Sequence, residues 1–78
     1  MKANFYFYFS DQVAAQRAIP ALEREGLTVE IRSGADEASW LALGTAGLER
    51  DDQLDALEER FGELAEELGA DYDGYDRG

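Results

Sequence analysis

The chain has 78 residues, 45% of them hydrophobic, and contains neither cysteine nor histidine. This indicates one small domain, residues 1–78, and excludes disulfide bonds and metal sites built from His or Cys ligands. The formal net charge of −11 opposes direct contact with a nucleic-acid backbone or an anionic membrane surface. A basic protein partner is favoured instead, although acidic surfaces also simply keep small proteins soluble.

The acidic residues are concentrated toward the C-terminus. Residues 49–78 contain twelve acidic and three basic residues, whereas residues 1–48 contain six and four. No apolar run approaches the roughly 20 residues needed to cross a membrane, and the N-terminus lacks the apolar region of a signal peptide. We therefore expect a cytoplasmic protein that has no membrane partner.

The first predicted strand, Phe5–Phe9, alternates phenylalanine with tyrosine. A period of two places the three phenylalanines on one face of a sheet and Tyr6 and Tyr8 on the other. The phenyl face requires a dry core, while a tyrosine face tolerates partial hydration because each ring carries a polar tip. We expect this to be a central strand with helices packed on the phenylalanine side.

A helix is predicted next, over residues 11–25, with Val13, Ala14 and Ala18 among its core residues. Pro20 lies inside it and predicts a kink or a division into two pieces. A strand over 27–32 and a hairpin loop over 33–38 follow. The third strand, 39–45, is predicted to point Leu41 and Leu43 inward and Trp40 and Ala42 outward.

The second helix is predicted over residues 51–68 from its regularly spaced leucines, with Asp51 and Asp52 capping its start. A short strand over 70–75 and a frayed tail complete the chain. The order β-α-β-β-α-β predicts a ferredoxin-like α+β fold. Its four-stranded antiparallel sheet would have the order 4-1-3-2, with both helices on one face.

In this arrangement Tyr6, Tyr8 and Trp40 would cluster on the helix-free face. Tyrosine and tryptophan often anchor protein interfaces, so the cluster is a candidate protein-binding surface. It could also be buried against a second copy of the chain, giving a homodimer, or only stabilise the sheet through cross-strand pairs. Base stacking is disfavoured because few basic residues accompany the rings.

The second helix presents an acidic surface that includes Asp55, Glu59 and Glu63. Like charges four residues apart cost a few tenths of a kcal/mol, which suggests a basic partner, although such faces are commonly just solvated. Catalysis is not expected, because His and Cys are absent and the serines lack a companion base. We expect no cofactor and no metal, since Asp71–Asp76 does not have the ligand spacing of a calcium loop.

The C-terminal third resembles the regulator of ribonuclease E activity B family. The shared features are the Asp52, Asp55 and Glu63-Leu64-Ala65-Glu66 spacing and the following strand Asp71-Tyr72-Asp73-Gly74-Tyr75. The resemblance implies a ferredoxin-like protein that binds ribonuclease E and inhibits it. It also makes the strand residues Tyr72, Asp73 and Tyr75 candidate partner contacts, together with the acidic helix.

These observations predict a non-catalytic acidic module that acts by protein–protein contact. The preferred function is regulation of ribonuclease E, with a basic segment of that enzyme as the partner. Two alternatives stay open. One is a self-associating α+β domain that dimerises through its aromatic sheet face. The other is an acidic nucleic-acid mimic that occupies a basic groove of its target.

Overall fold

The computed structural model describes residues 2–34 and 39–77, which form four strands and two helices. The predicted order β-α-β-β-α-β is confirmed. The part of the predicted hairpin loop at residues 35–38 lies outside the described residues. The elements are β1 Lys2–Phe9, α1 Gln12–Arg24, β2 Thr28–Ser33, β3 Trp40–Gly47, α2 Asp52–Leu68 and β4 Asp71–Arg77.

The four strands form one antiparallel sheet with the order β2-β3-β1-β4, as predicted. Both helices contribute to a single buried cluster with the phenylalanines of β1, so they cover the same face. The other face, which carries Tyr6 and Tyr8, has no helix among the described elements. We call it the helix-free face.

The core is built around the contact between β1 and α2. The Phe61 ring lies 4.8 Å from that of Phe5 and 5.8 Å from that of Phe7, edge-on in both cases. All three side chains are fully buried. Edge-to-face aromatic pairs contribute roughly 0.5–1.5 kcal/mol beyond the burial of their area, so these contacts fix the position of α2 on the sheet.

The first helix packs closely on the sheet through Ala15, Ala18 and Leu22. Asp11 caps its start, accepting a 2.7 Å hydrogen bond from the backbone N–H of Ala14. The helix continues past the exposed Pro20, so the predicted alternative of two pieces is wrong. One missing backbone donor is tolerated because buried residues hold the helix on the sheet.

Two details of the predicted helices are wrong. Val13 is 56% exposed, because the buried stripe of α1 runs through Ala15 instead. Asp51 makes no side-chain capping bond; the Gln53 side chain accepts hydrogen bonds from two preceding backbone N–H groups instead. At its other end α2 stops at Gly69, whose left-handed conformation (φ 72°) closes the last turn.

The predicted orientation of β3 is wrong by one residue. Its pairing with β1 places Trp40, Ala42 and Gly44 on the helix-covered face. Their pairing partners on that same face are Phe9, Phe7 and Phe5, respectively. Leu41 and Leu43 consequently lie on the helix-free face. The close approach of α1 and Leu27 to the sheet leaves room only for small side chains at positions 42 and 44, and this overrides the preference of leucine for the core.

The last strand is longer than predicted and contains a bulge. Asp76 and Arg77 pair with β1, so they are not part of a frayed tail. Tyr72 pairs with Phe7 and Tyr75 with Phe5, so a step of two residues along β1 matches a step of three along β4. Gly74 (φ 92°) lies in this bulge, which turns both tyrosines toward the helices.

The tight packing around Gly44 gives a stability prediction. A Cβ atom at this position would lie 2.8 Å from Cδ1 of the buried Leu27. We expect Gly44→Val to lower the free energy of unfolding by about 1–3 kcal/mol through overpacking, measured by urea denaturation.

Gly47→Val is the matched control, because Gly47 lies in the same strand and a Cβ atom added there would meet no atom within 4 Å. An equal loss of stability in both variants would show that strand conformation, and not the contact with Leu27, is responsible.

Candidate protein-binding site

The helix-free face contains a short apolar centre between two polar edges. Tyr6 and Tyr8 of β1 lie beside Leu43 and Leu41 of β3, respectively. None of the four belongs to the buried core cluster or packs against it. The tyrosines and Leu43 are partly exposed, while Leu41 is only 9% exposed. The centre is therefore available for contact mainly through the two phenol rings and Leu43.

The edges of this face carry charges of both signs. On β2, Arg32 forms a 2.8 Å ion pair with Glu30, and both side chains are more than half exposed. On β4, Asp71 lies beside Tyr8 and Asp76 beside Asn4. The strand register places Glu30 beside Leu43 and Arg32 beside Leu41, so the two leucines separate this ion pair from the tyrosines.

A hydrogen-bond network ties Tyr6 to the β4 edge. The Tyr6 hydroxyl donates a 2.6 Å hydrogen bond to Oδ2 of Asp76, and the Asn4 amide donates a 3.0 Å bond to Oδ1 of the same carboxylate. These donors lower the pKa of Asp76. The bond to Asp76, followed by desolvation and the repulsion of its charge, raises the pKa of Tyr6.

Three of the predicted site residues lie on the helix-covered face. Trp40 packs against the core, so its predicted cluster with Tyr6 and Tyr8 does not form. Tyr72 and Tyr75 also pack against the core, with ring centres 5.2 Å from Phe7 and 6.0 Å from Phe5. Of these candidate aromatic contacts, only Tyr6 and Tyr8 share the helix-free face.

The acidic candidates form a separate surface. Asp55, Glu59 and Glu63 are exposed on α2, spaced four residues apart on the side of the helix that faces away from its buried residues. Asp73 is exposed in the bulge of β4. The structure thus divides the predicted site between an acidic helix and a sheet face on opposite sides of the molecule.

The Tyr72 hydroxyl is buried without a hydrogen-bond partner among the described residues. Burial raises the pKa of this phenol, and the nearby Glu58 carboxylate raises it further. Within the same described part of the chain, no group of three or more Asp or Glu side chains is arranged to hold a metal ion. No helix there is long and apolar enough to cross a membrane.

The sequence matches the family described as "Regulator of ribonuclease activity B" over residues 1–76. The chain belongs to this family. The match covers nearly the whole chain, including β1, which carries Tyr6 and Tyr8, and α2, which carries Asp55, Glu59 and Glu63. No curated protein and no solved structure matches the chain.

Sequence reasoning missed the contribution of Leu41 and Leu43 to the helix-free face of this family member. The signal was the alternation of small residues at Ala42, Gly44 and Ala46. Small side chains on one face of a strand mark the side where a helix packs closely. The leucines between them must then point to the opposite face.

The network around Asp76 predicts how Tyr6 titrates. We expect Asp76→Ala to lower the pKa of Tyr6 toward 10.0, the ordinary tyrosine value, because the phenol loses its hydrogen bond to the carboxylate and the ionised phenol is no longer repelled by its charge. A pH titration by NMR with ¹³C-labelled tyrosine would measure this. Asp73→Ala, which removes a carboxylate not bonded to Tyr6, should leave the pKa of Tyr6 unchanged.

The same contact sets a dependence of stability on pH. The pKa of Tyr6 is higher in the folded state than in the unfolded chain. The contribution of Tyr6 to the free energy of unfolding is therefore complete below its unfolded-state pKa and is lost as pH rises through its folded-state pKa. The folded-state pKa of Asp76 is lowered, so its contribution is lost as pH falls through that value. If Asp76→Ala left both the Tyr6 titration and these two stability limits unchanged, the contact would be absent in solution.

The buried hydroxyl of Tyr72 gives another prediction. We expect Tyr72→Phe to stabilise the protein by up to about 1 kcal/mol, since it removes a buried polar atom that has no described partner. Thermal unfolding would show this as a higher midpoint temperature. Tyr75→Phe is the control and should change stability little. A clear loss of stability in Tyr72→Phe alone would mean that its hydroxyl is hydrogen-bonded in solution.

Proposed function

We propose that this protein regulates a ribonuclease E-type enzyme by binding to it, without catalysing a reaction itself. Membership of the regulator of ribonuclease activity B family carries the proposal. The outer surface of α2 is the proposed contact, and a basic segment of the ribonuclease is its proposed partner. This function would place the protein in the cytoplasm with that enzyme.

The charge of α2 supports a basic partner. The helix contains seven carboxylates and a single base, Arg60. Arg60 is engaged by Glu25 at the end of α1, through hydrogen bonds of 3.2 Å and 3.0 Å. Arg60 also interacts with the charges of Glu67 and Glu63, but one base cannot neutralise the seven carboxylates of the helix, which include the outer stripe of Asp55, Glu59 and Glu63.

This stripe is costly for the isolated protein. Asp55 with Glu59, and Glu59 with Glu63, are like-charged pairs one turn apart, each of which destabilises a helix by a few tenths of a kcal/mol. The three residues contribute nothing to the core, whose side chains lie on the opposite side of the helix. Complementary charge on a partner would offset this repulsion and accelerate association.

The surroundings of the carboxylates favour binding over catalysis. A general acid or base usually has a pKa tuned by burial in a cleft near a second catalytic group. Asp55, Glu59 and Glu63 lie instead on a convex, solvated helix surface. The buried side chains of the core are hydrophobic, and no buried charged residue occurs among the described positions.

Calorimetric titration with ribonuclease E from the same organism, at two salt concentrations, tests the proposal. We expect binding that weakens as salt rises, because exposed charges are screened. In the double variant Glu59→Lys/Glu63→Lys, two repulsive charges would face the basic partner. The dissociation constant should rise about tenfold or more, equivalent to at least about 1.4 kcal/mol.

The matched control is Glu23→Lys/Glu49→Lys, which changes the net charge equally at two exposed positions outside α2. This variant should bind far more tightly than the α2 variant. Equal weakening in both would show that only overall charge matters. Absence of binding by the unmodified protein at low salt would refute the proposed partner.

A further inference from the structure

A line of four residues crosses the whole helix-free face and carries opposite charges at its two ends. Arg32 pairs with Leu41, Leu41 pairs with Tyr8, and Tyr8 pairs with Asp71. Paired residues in antiparallel strands lie side by side on the same face. We call this line the cross-sheet row. It has a cation on edge strand β2, two apolar residues at its centre and an anion on edge strand β4.

We propose that the helix-free face is a homodimer interface, in which the cross-sheet rows of two copies lie antiparallel. The sheets would stack face to face at a separation of about 10 Å, as in β-sandwiches. This inference is independent of the proposed function, since it concerns the side of the molecule opposite to the acidic stripe of α2.

The register determines which dimer symmetry suits the charges. A twofold axis between the sheets and parallel to the strands places β2 of one copy over β4 of the other, at the same level along the strands. Arg32 then faces Asp71 of the second copy. Leu41 is already nearly buried, so the main apolar contact is made two residues along the strand by the more exposed Leu43, which faces Tyr6 of the second copy. The symmetry repeats each contact, so the dimer contains two such ion pairs and two such apolar contacts.

The other face-to-face arrangement is disfavoured by the same residues. In this arrangement the twofold axis lies between the sheets, perpendicular to the strands, at the level of Tyr6 and Leu43. Each strand then lies over the same strand of the second copy, running in the opposite direction. Asp71 would then face Asp76 of the second copy, and Glu30 would face Glu30. Like charges would meet at both edges, which costs free energy and selects against this arrangement.

Arg32 can serve both its present partner and a second carboxylate. Its Nη2 atom donates to Glu30 at 2.8 Å, which uses one of the five N–H donors of the guanidinium group. Asp71 is exposed and has no ion-pair partner within the described ranges 2–34 and 39–77. Glu30 is already paired with Arg32, which limits its repulsion of the acidic β4 edge of a second copy.

The distribution of charge also favours this face for self-association. Two copies with a net charge of −11 each repel one another, and the repulsion is greatest between their α2 helices. The strand register places two cations on the helix-free face, Lys2 and Arg32. It places three carboxylates there, Glu30, Asp71 and Asp76, so this face is less acidic than α2. Stacking there keeps the two acidic helices on opposite outer surfaces.

Sedimentation velocity from about 10 μM to 1 mM at about 0.15 M salt tests the proposal, since repulsion beyond about 8 Å is then screened. The protein should pass from monomer to dimer in this range. Arg32→Glu and Asp71→Arg should each raise the dissociation constant about tenfold or more, because each disrupts two ion pairs per dimer. The double variant Arg32→Glu/Asp71→Arg should restore it to within about threefold of the original value.

Glu63→Arg is the matched control, because it changes net charge as Asp71→Arg does but lies on α2. It should not weaken association, and circular dichroism should show that every variant is folded. A protein that stays monomeric at 1 mM would overturn the proposal. So would a dimer that the single variants do not weaken, or one that the double variant does not restore.

Discussion

The structure depends on the burial of one phenylalanine face of β1 against α2. Phe5 and Phe7 are fully buried and meet Phe61 edge-on, at ring distances of 4.8 Å and 5.8 Å. Because β1 is a central strand, this contact fixes which side of the whole sheet is dry. In a chain of 78 residues, a few large aromatic side chains must supply much of the hydrophobic stabilisation.

That constraint separates two surfaces with different properties. The helix-covered side presents an outer helix whose exposed carboxylates repel one another and suit a basic partner. The helix-free side presents Tyr6 and Tyr8 between the Arg32–Glu30 ion pair of β2 and the carboxylates Asp71 and Asp76 of β4. A regulator that binds its target through one surface and a second copy through the other would present two binding helices at once, which raises avidity when the target is itself multivalent.

Polar contacts on the helix-free face join neighbouring strands without contributing to the hydrophobic core. Asp76 accepts hydrogen bonds from Tyr6 and Asn4, and so ties the C-terminal strand to β1 beyond the bulge at Gly74. Since these groups are solvated, their contribution is modest and depends on pH. The bulge itself serves packing, because it allows both Tyr72 and Tyr75 to reach the core.

The amino-acid sequence by itself determined the element order, the sheet topology and the buried face of β1, because local periodicity carries those properties. It also indicated the acidic outer side of α2, since exposure there follows from helical spacing. Hydrophobicity alone misassigned β3, where Trp40 turned toward the helices and Leu41 away from them. The spacing between α1 and the sheet decided that orientation, since only small residues fit beneath Leu27. The cross-sheet row likewise needed the tertiary structure, because strand register brings together residues as distant in sequence as Arg32 and Asp71.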